Sequence, residues 1–163
     1  MNVLVLELGN ILLQDEGLGV RALERLVAQH PLPDQVQAMD GGTLGLDLLP
    51  YLEQATDLLI LDAIQTGQPP GTLVRLEGPA IPSALSPKLS VHQVGLQELL
   101  ALGDLQGTLP RRMVLWGMEP ASLDWGLELS SLVLSRLDDL VTAAANELGE
   151  WGCLIHTPES RGS

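Results

Sequence analysis

Glu16, Asp62 and His92 are the residues of this sequence whose types and positions point most directly to chemistry. Two carboxylates and one imidazole make a mixed oxygen and nitrogen donor set, suited to a divalent transition metal with coordination positions left open for water or a substrate. Such a metal polarises a carbonyl or lowers the pKa of bound water. Each residue also has an ordinary structural reading. Glu16 suits the positive end of a helix with Asp15 as its N-cap, Asp62 suits a turn at a strand end, and His92 suits a solvated first helical turn. The remaining histidines are weaker candidates: His30 falls at the end of the first helix, and His156 lies with Cys153 near the end of the sequence.

What would gather these three is a parallel sheet, because open α/β sheets bind ligands beyond the carboxyl ends of their strands. "VLVLEL" (3–8) is a near-continuous aliphatic run, as expected of a strand buried on both faces. Beyond it, "GLGVRALERLVAQH" places Val20, Leu23, Val27 and His30 at helical spacing. A second strand over 36–42 leads to a helix on which Leu44, Leu48 and Leu52 share a face and which Pro50 bends or shortens. "DLLILDA" (57–63) is the third strand. Only about eight residues separate it from "TLVRLEG" (72–78), too few for a right-handed crossover helix, so strand four is expected to run antiparallel. The segment "PAIPSALSPK" reads as a proline-punctuated loop. Ser90 and Gln93 stand in capping-box spacing and predict a helix from Val91. "RMVLWGME" (112–119) is the last strand, and a closing helix carries Val133, Leu137, Leu140, Val141, Ala144 and Leu148 on one stripe. Residues 1–149 are read as one domain and 150–163, without periodicity, as a flexible tail.

Composition removes several functions. The chain has 163 residues, with eight Lys and Arg against twenty-one Asp and Glu, a net charge of −13. That balance argues against nucleic acid and against an anionic membrane surface, both of which need clustered cations. No apolar run approaches the roughly 18 residues of a membrane span, and the first residues lack a basic leader, so a cytoplasmic location is expected. A lone Cys153 rules out an internal disulfide and any Cys-x-x-Cys site. "GLGVRA" (17–22) matches Gly-x-Gly-x-x-Ala but lies about eight residues past the strand end, where a dinucleotide fingerprint would not sit.

Six stretches in order carry a resemblance to a known family: "GNILLQDEGLGVR" (9–21), "DGGTLGLDLLPYL" (40–52), "LLILDAI" (58–64), "PPGTLVRLEG" (69–78), "LSVHQVGLQELL" (89–100) and "LWGMEPASLDWGLELS" (115–130). Together they resemble the nickel–iron hydrogenase maturation endopeptidases, from about residue 2 to residue 148. The resemblance implies a three-layer α/β/α sandwich of phosphorylase/hydrolase-like type, whose mixed, mostly parallel five-stranded sheet has an antiparallel fourth strand. It further implies cleavage near the carboxyl terminus of the hydrogenase large-subunit precursor after nickel insertion. Glu16, Asp62 and His92 then correspond to the family's nickel-recognising ligands. Nickel would arrive with the substrate, although another divalent metal could occupy the same donors. Either nickel polarises the scissile carbonyl, or it positions the chain while Asp62 or Asp40 activates water; Asp40 in "DGGT" could equally cap a turn.

Glu7 departs from the family pattern, which has glycine at that position. A carboxylate buried there must find a partner or neutralise, and pairing with a nearby cation is the expectation. A non-cutting nickel-dependent assembly chaperone for the same precursor is the alternative from another functional class. The expected partner is the nickel-loaded precursor, steered by the acidic surface toward a basic patch. A monomer is expected, since no heptad seam is present.

Overall fold

The computed structural model describes residues 1–41, 45–85 and 95–153. One five-stranded sheet is built from β1 (Val3–Glu7), β2 (Val36–Asp40), β3 (Asp57–Ala63), β4 (Leu73–Glu77) and β5 (Arg112–Met118) in the order β2-β1-β3-β5-β4. The neighbours of β1, β2, β3 and β5 are parallel except that β4 pairs antiparallel with β5. The short link between β3 and β4 therefore has the predicted consequence.

Helices cover both faces. Val3, Val5, Leu59 and Leu61 pack against α1 (Leu18–Gln29) and α5 (Ser131–Glu150). Leu4, Leu6, Leu58 and Ile60 pack against α2 (Leu49–Gln54), α3 (Ala80–Ala84) and α4 (Leu96–Gln106). Strands β1 and β3 lie centrally and are buried along their whole length, which is why their sequences are aliphatic at successive positions. The stripe predicted on α5 is buried at all six positions. Among the described residues no helix is long and apolar enough to cross a membrane.

Several local expectations are corrected. The buried face of α1 is Leu18, Gly19, Ala22 and Leu26, while Val27 is exposed, so the true stripe is rotated from the predicted one. The proline-punctuated loop contains α3, since Pro79 at its N-cap and Pro82 in its first turn lack only N–H groups that no helical carbonyl accepts. Helix α4 begins at Leu96 after an extended Gly95; the capping pair Ser90 and Gln93 lies outside the described residues, as does Leu44. At the other end the packed chain continues past Glu150. Trp151 and Cys153 are buried, and the Trp151 indole N–H donates to Glu147 Oε2 at 3.0 Å beneath the guanidinium of Arg112. Residues 154–163 of the expected tail lie outside the described residues.

Asp15 is not the cap of α1, whose N-cap is Gly17. Its carboxylate is fully buried and accepts four hydrogen bonds: from the N–H groups of Ala121, Ser122 and Ser130 at 2.8, 2.9 and 2.8 Å, and from the Ser130 hydroxyl at 2.7 Å. Ser130 is in turn the N-cap of α5, accepting from the Val133 N–H. One side chain therefore fixes both the loop leaving β5 and the start of the closing helix. Asp15→Asn would set an amide donor against these donors. It is expected to lower the unfolding free energy by about 3 kcal/mol, seen as a lower urea midpoint at unchanged m-value, with residues 119–130 becoming the first site of limited proteolysis. An unshifted midpoint would show that the loop holds itself.

Candidate active site

The carboxyl edge of the parallel strands is where the chain makes its closest backbone approaches. Gly9, two residues past β1, has φ +132°, and a Cβ there would stand 2.0 Å from the Glu16 carbonyl oxygen. Only glycine fits. The same point is 3.8 Å from Asp62 Oδ1, so the main chain of Glu16 and the carboxylate of Asp62 flank one position. Gly19 extends the arrangement: its Cβ would lie 2.4 Å from the Leu61 carbonyl oxygen and 2.8 Å from that of Leu8. The first turn of α1 thus rests on the ends of β1 and β3. The Gly-x-Gly-x-x-Ala stretch is explained by this contact and by the fully buried Ala22, as packing and not as a phosphate cradle.

Glu16 sits in a 3-10 turn over Gln14–Gly17 and is half-buried, its N–H donating to the Leu13 carbonyl at 3.0 Å. Its neighbour Asp15 is the buried anchor described above, so adjacent carboxylates have divided roles. Asp62 is fully buried near the end of β3, with Oδ1 accepting from the Ala63 N–H at 2.8 Å. Asp40 closes β2 in register with Glu7 on β1. The structure therefore brings Glu16, Asp62 and Asp40 to one edge. His92 lies outside the described residues, and among the described residues no group of three or more His, Cys, Asp or Glu is arranged to hold a metal ion.

Two further acids share this edge. Glu7 is buried, and the charged groups acting on it are Asp40, Asp62 and Glu24, all acidic, so the expected pairing with a cation is corrected. Burial, then the charge of Asp40 and the hydrogen bond to it, push the Glu7 carboxyl up to about 8. At neutral pH its protonated oxygen donates to the Asp40 carboxylate. No local signal in the sequence marks this pair, because it is made by the register in which β1 and β2 are joined. Glu119, just beyond β5, accepts from the Thr66 hydroxyl at 2.7 Å and from the Thr66 and Gln68 N–H groups. Burial alone would raise its pKa, but these bonds outweigh burial and hold it below the usual carboxylate value. It ties the link between β3 and β4 to the same edge.

Comparison with known proteins places this architecture. The family model described as hydrogenase maturation protease (HycI) matches residues 20–147. The hydrogenase expression/formation protein HupD of Rhodobacter capsulatus is 44% identical over 152 residues, covering 92% of this chain and 72% of that one. The hydrogenase 2 maturation protease of Escherichia coli K12 is 38% identical over 153 residues, covering 91% and 93%. Among solved structures, the hydrogenase maturating endopeptidase HybD from E. coli superposes with a TM-score of 0.89 at 35% identity, over 98% of this chain and 99% of that one. The chain belongs to the hydrogenase maturation protease family.

Proposed function

We propose that this protein is an endopeptidase that removes the carboxyl-terminal extension of a nickel–iron hydrogenase large-subunit precursor once that precursor carries nickel. The observation that supports this reading is the packing of the Glu16 main-chain carbonyl and the Asp62 carboxylate on either side of Gly9, which sets both residues at the sheet edge where α/β folds engage ligands. In the proposed reaction Glu16, Asp62 and His92 complete the coordination of the substrate's nickel and so hold the precursor's final segment over the edge. Water attacks the scissile carbonyl, and Asp40 or Asp62 takes its proton and delivers it to the departing amine. Glu7 is a positioning residue in this scheme. Its neutral carboxyl donates to Asp40, which orients that carboxylate without adding a second negative charge to the pair.

Asp62→Asn and Glu16→Gln are each expected to slow cleavage by about 10²- to 10⁴-fold with the fold retained. The check is intact mass of nickel-loaded and nickel-free precursor after incubation. Loss of a discrete terminal peptide from the loaded form alone supports the reading; stable binding of a verified cognate precursor without a mass change moves it to the assembly chaperone.

The Glu7 carboxyl gives a second prediction with a defined sign. Its folded value near 8 lies above the ordinary 4.5, so its stabilising contribution is complete below about 4.5 and is lost as pH rises through about 8. Glu7→Gln keeps a donor to Asp40 and cannot ionise. Its thermal midpoint relative to wild type is expected to rise steadily from about pH 5 to about pH 9; a difference independent of pH would show that Glu7 is not a neutral group in the folded state.

A further inference from the structure

Beside the candidate site the surface carries an apolar ledge with no part in the chemistry above. Ile11 and Leu12 lie on the segment that follows β1, and Leu123, Trp125 and Leu127 lie on the loop between β5 and α5; all five are exposed, Trp125 by 79%. The two segments are joined along their backbones. The Gly126 N–H donates to the Leu12 carbonyl at 2.9 Å, the Gln14 N–H donates to the Gly126 carbonyl at 3.0 Å, and the Asp15 N–H donates to the Ser122 carbonyl at 3.1 Å. Single exposed apolar side chains are ordinary on a protein surface, whereas several gathered on adjoining segments mark an interaction surface.

This ledge is also held rigid by the most completely satisfied carboxylate of the site region. The four hydrogen bonds to Asp15 come from Ala121, Ser122 and Ser130, so they clamp the loop that presents Trp125 at both of its ends. A clamped loop loses little conformational freedom when a partner arrives, which favours binding over mere exposure. Its inner border is the turn that contains Glu16, so the ledge adjoins the candidate site directly.

Charge narrows the occupant. Asp124 and Glu128 flank Trp125 and Leu127 and are themselves exposed. Arg21 and Arg25, which line the hollow beside Leu127 and Glu128, are already engaged, Arg21 with the Leu127 carbonyl and Glu24 and Arg25 with Asp138. An indole face between carboxylates receives a Lys or Arg side chain by cation–π attraction and charge pairing, while the leucines and Ile11 receive apolar side chains. We propose that this ledge docks a segment of the substrate precursor in which apolar side chains stand beside a Lys or Arg, and that it contributes to precursor affinity separately from recognition of the metal. The inference rests on the proteolytic reading only for the identity of the partner.

The test uses full-length protein and the nickel-loaded large-subunit precursor. Two variants are compared with wild type: Trp125→Ser, which changes an exposed side chain, and Asp124→Lys combined with Glu128→Lys, which reverses the charge. Trp125→Ser is expected to raise KM by about tenfold, as for an aromatic anchor, with kcat unchanged. The charge reversal is expected to raise KM comparably at low salt and by much less at high salt. Calorimetric Kd values for the same precursor separate the two readings. If wild type binds without cutting, the proteolytic reading fails and the Kd ratio still tests the ledge. KM and Kd unchanged in both variants would overturn the docking proposal. So would sedimentation showing a wild-type dimer that Trp125→Ser dissociates, which would assign the ledge to contact between copies of the chain.

Discussion

A buried carboxylate is tolerated only when donors surround it, and in this protein the four donors bound by Asp15 determine much of what lies around the site. They come from residues more than a hundred positions away in the chain, so the bonds form only when β5 has joined the sheet and α5 has begun. Glu16 follows Asp15 directly, and its position is inherited from that anchoring. The same bonds set the path of the chain from β5 to α5 and, through Ser130, the first turn of the closing helix. Local rigidity and long-range topology are therefore one requirement here, imposed by a single buried carboxyl group.

The glycines at the edge express a complementary constraint. Gly9 and Gly19 let two stretches of main chain approach the ends of β1 and β3 at distances no side chain permits. This brings the Glu16 main chain beside the Asp62 carboxylate, and the charges of Asp40 and Asp62 both act on Glu7 at the same edge. Like charges at one edge cannot all be ionised and unattended. The structure resolves this in distinct ways: Asp15 and Glu119 are surrounded by hydrogen-bond donors, while the Glu7 carboxyl, pushed up to about 8, acts as a donor itself. A glycine in place of Glu7 would leave Asp40 without that donor.

How far the fold could be read from the sequence depended on how local the deciding forces were. The central strands were legible because burial on both faces demands unbroken aliphatic runs, and the antiparallel β4 followed from the length of one link. The stripe of α1 was misread for a physical reason. Its buried face must come close to strand ends and therefore uses Gly19 and Ala22, which are less apolar than the outward Val27. Asp62 and Asp40 could be placed at the edge from strand pattern alone. Asp15 could not be told from a helix cap, because its donors are remote in sequence, and the neutral state of Glu7 appeared only once register set it against Asp40.

An enzyme that recognises a metal held by its substrate needs an incomplete donor set of its own, since a complete one would retain metal and lose the distinction between loaded and unloaded precursor. In the proposed reading Glu16 and Asp62 would meet that requirement as hard oxygen donors. An incomplete set is, however, a weak holder of a large partner, and affinity has to come from elsewhere on the surface. The proposed docking ledge, joined to the Glu16 turn by backbone hydrogen bonds, would supply such a contact at little entropic cost. In the proposed arrangement the ledge would give binding without regard to the metal, and the site discrimination without much binding. Keeping these proposed tasks on adjoining but separate groups would let the precursor be engaged before the metal is sensed, and released once the terminal segment is gone.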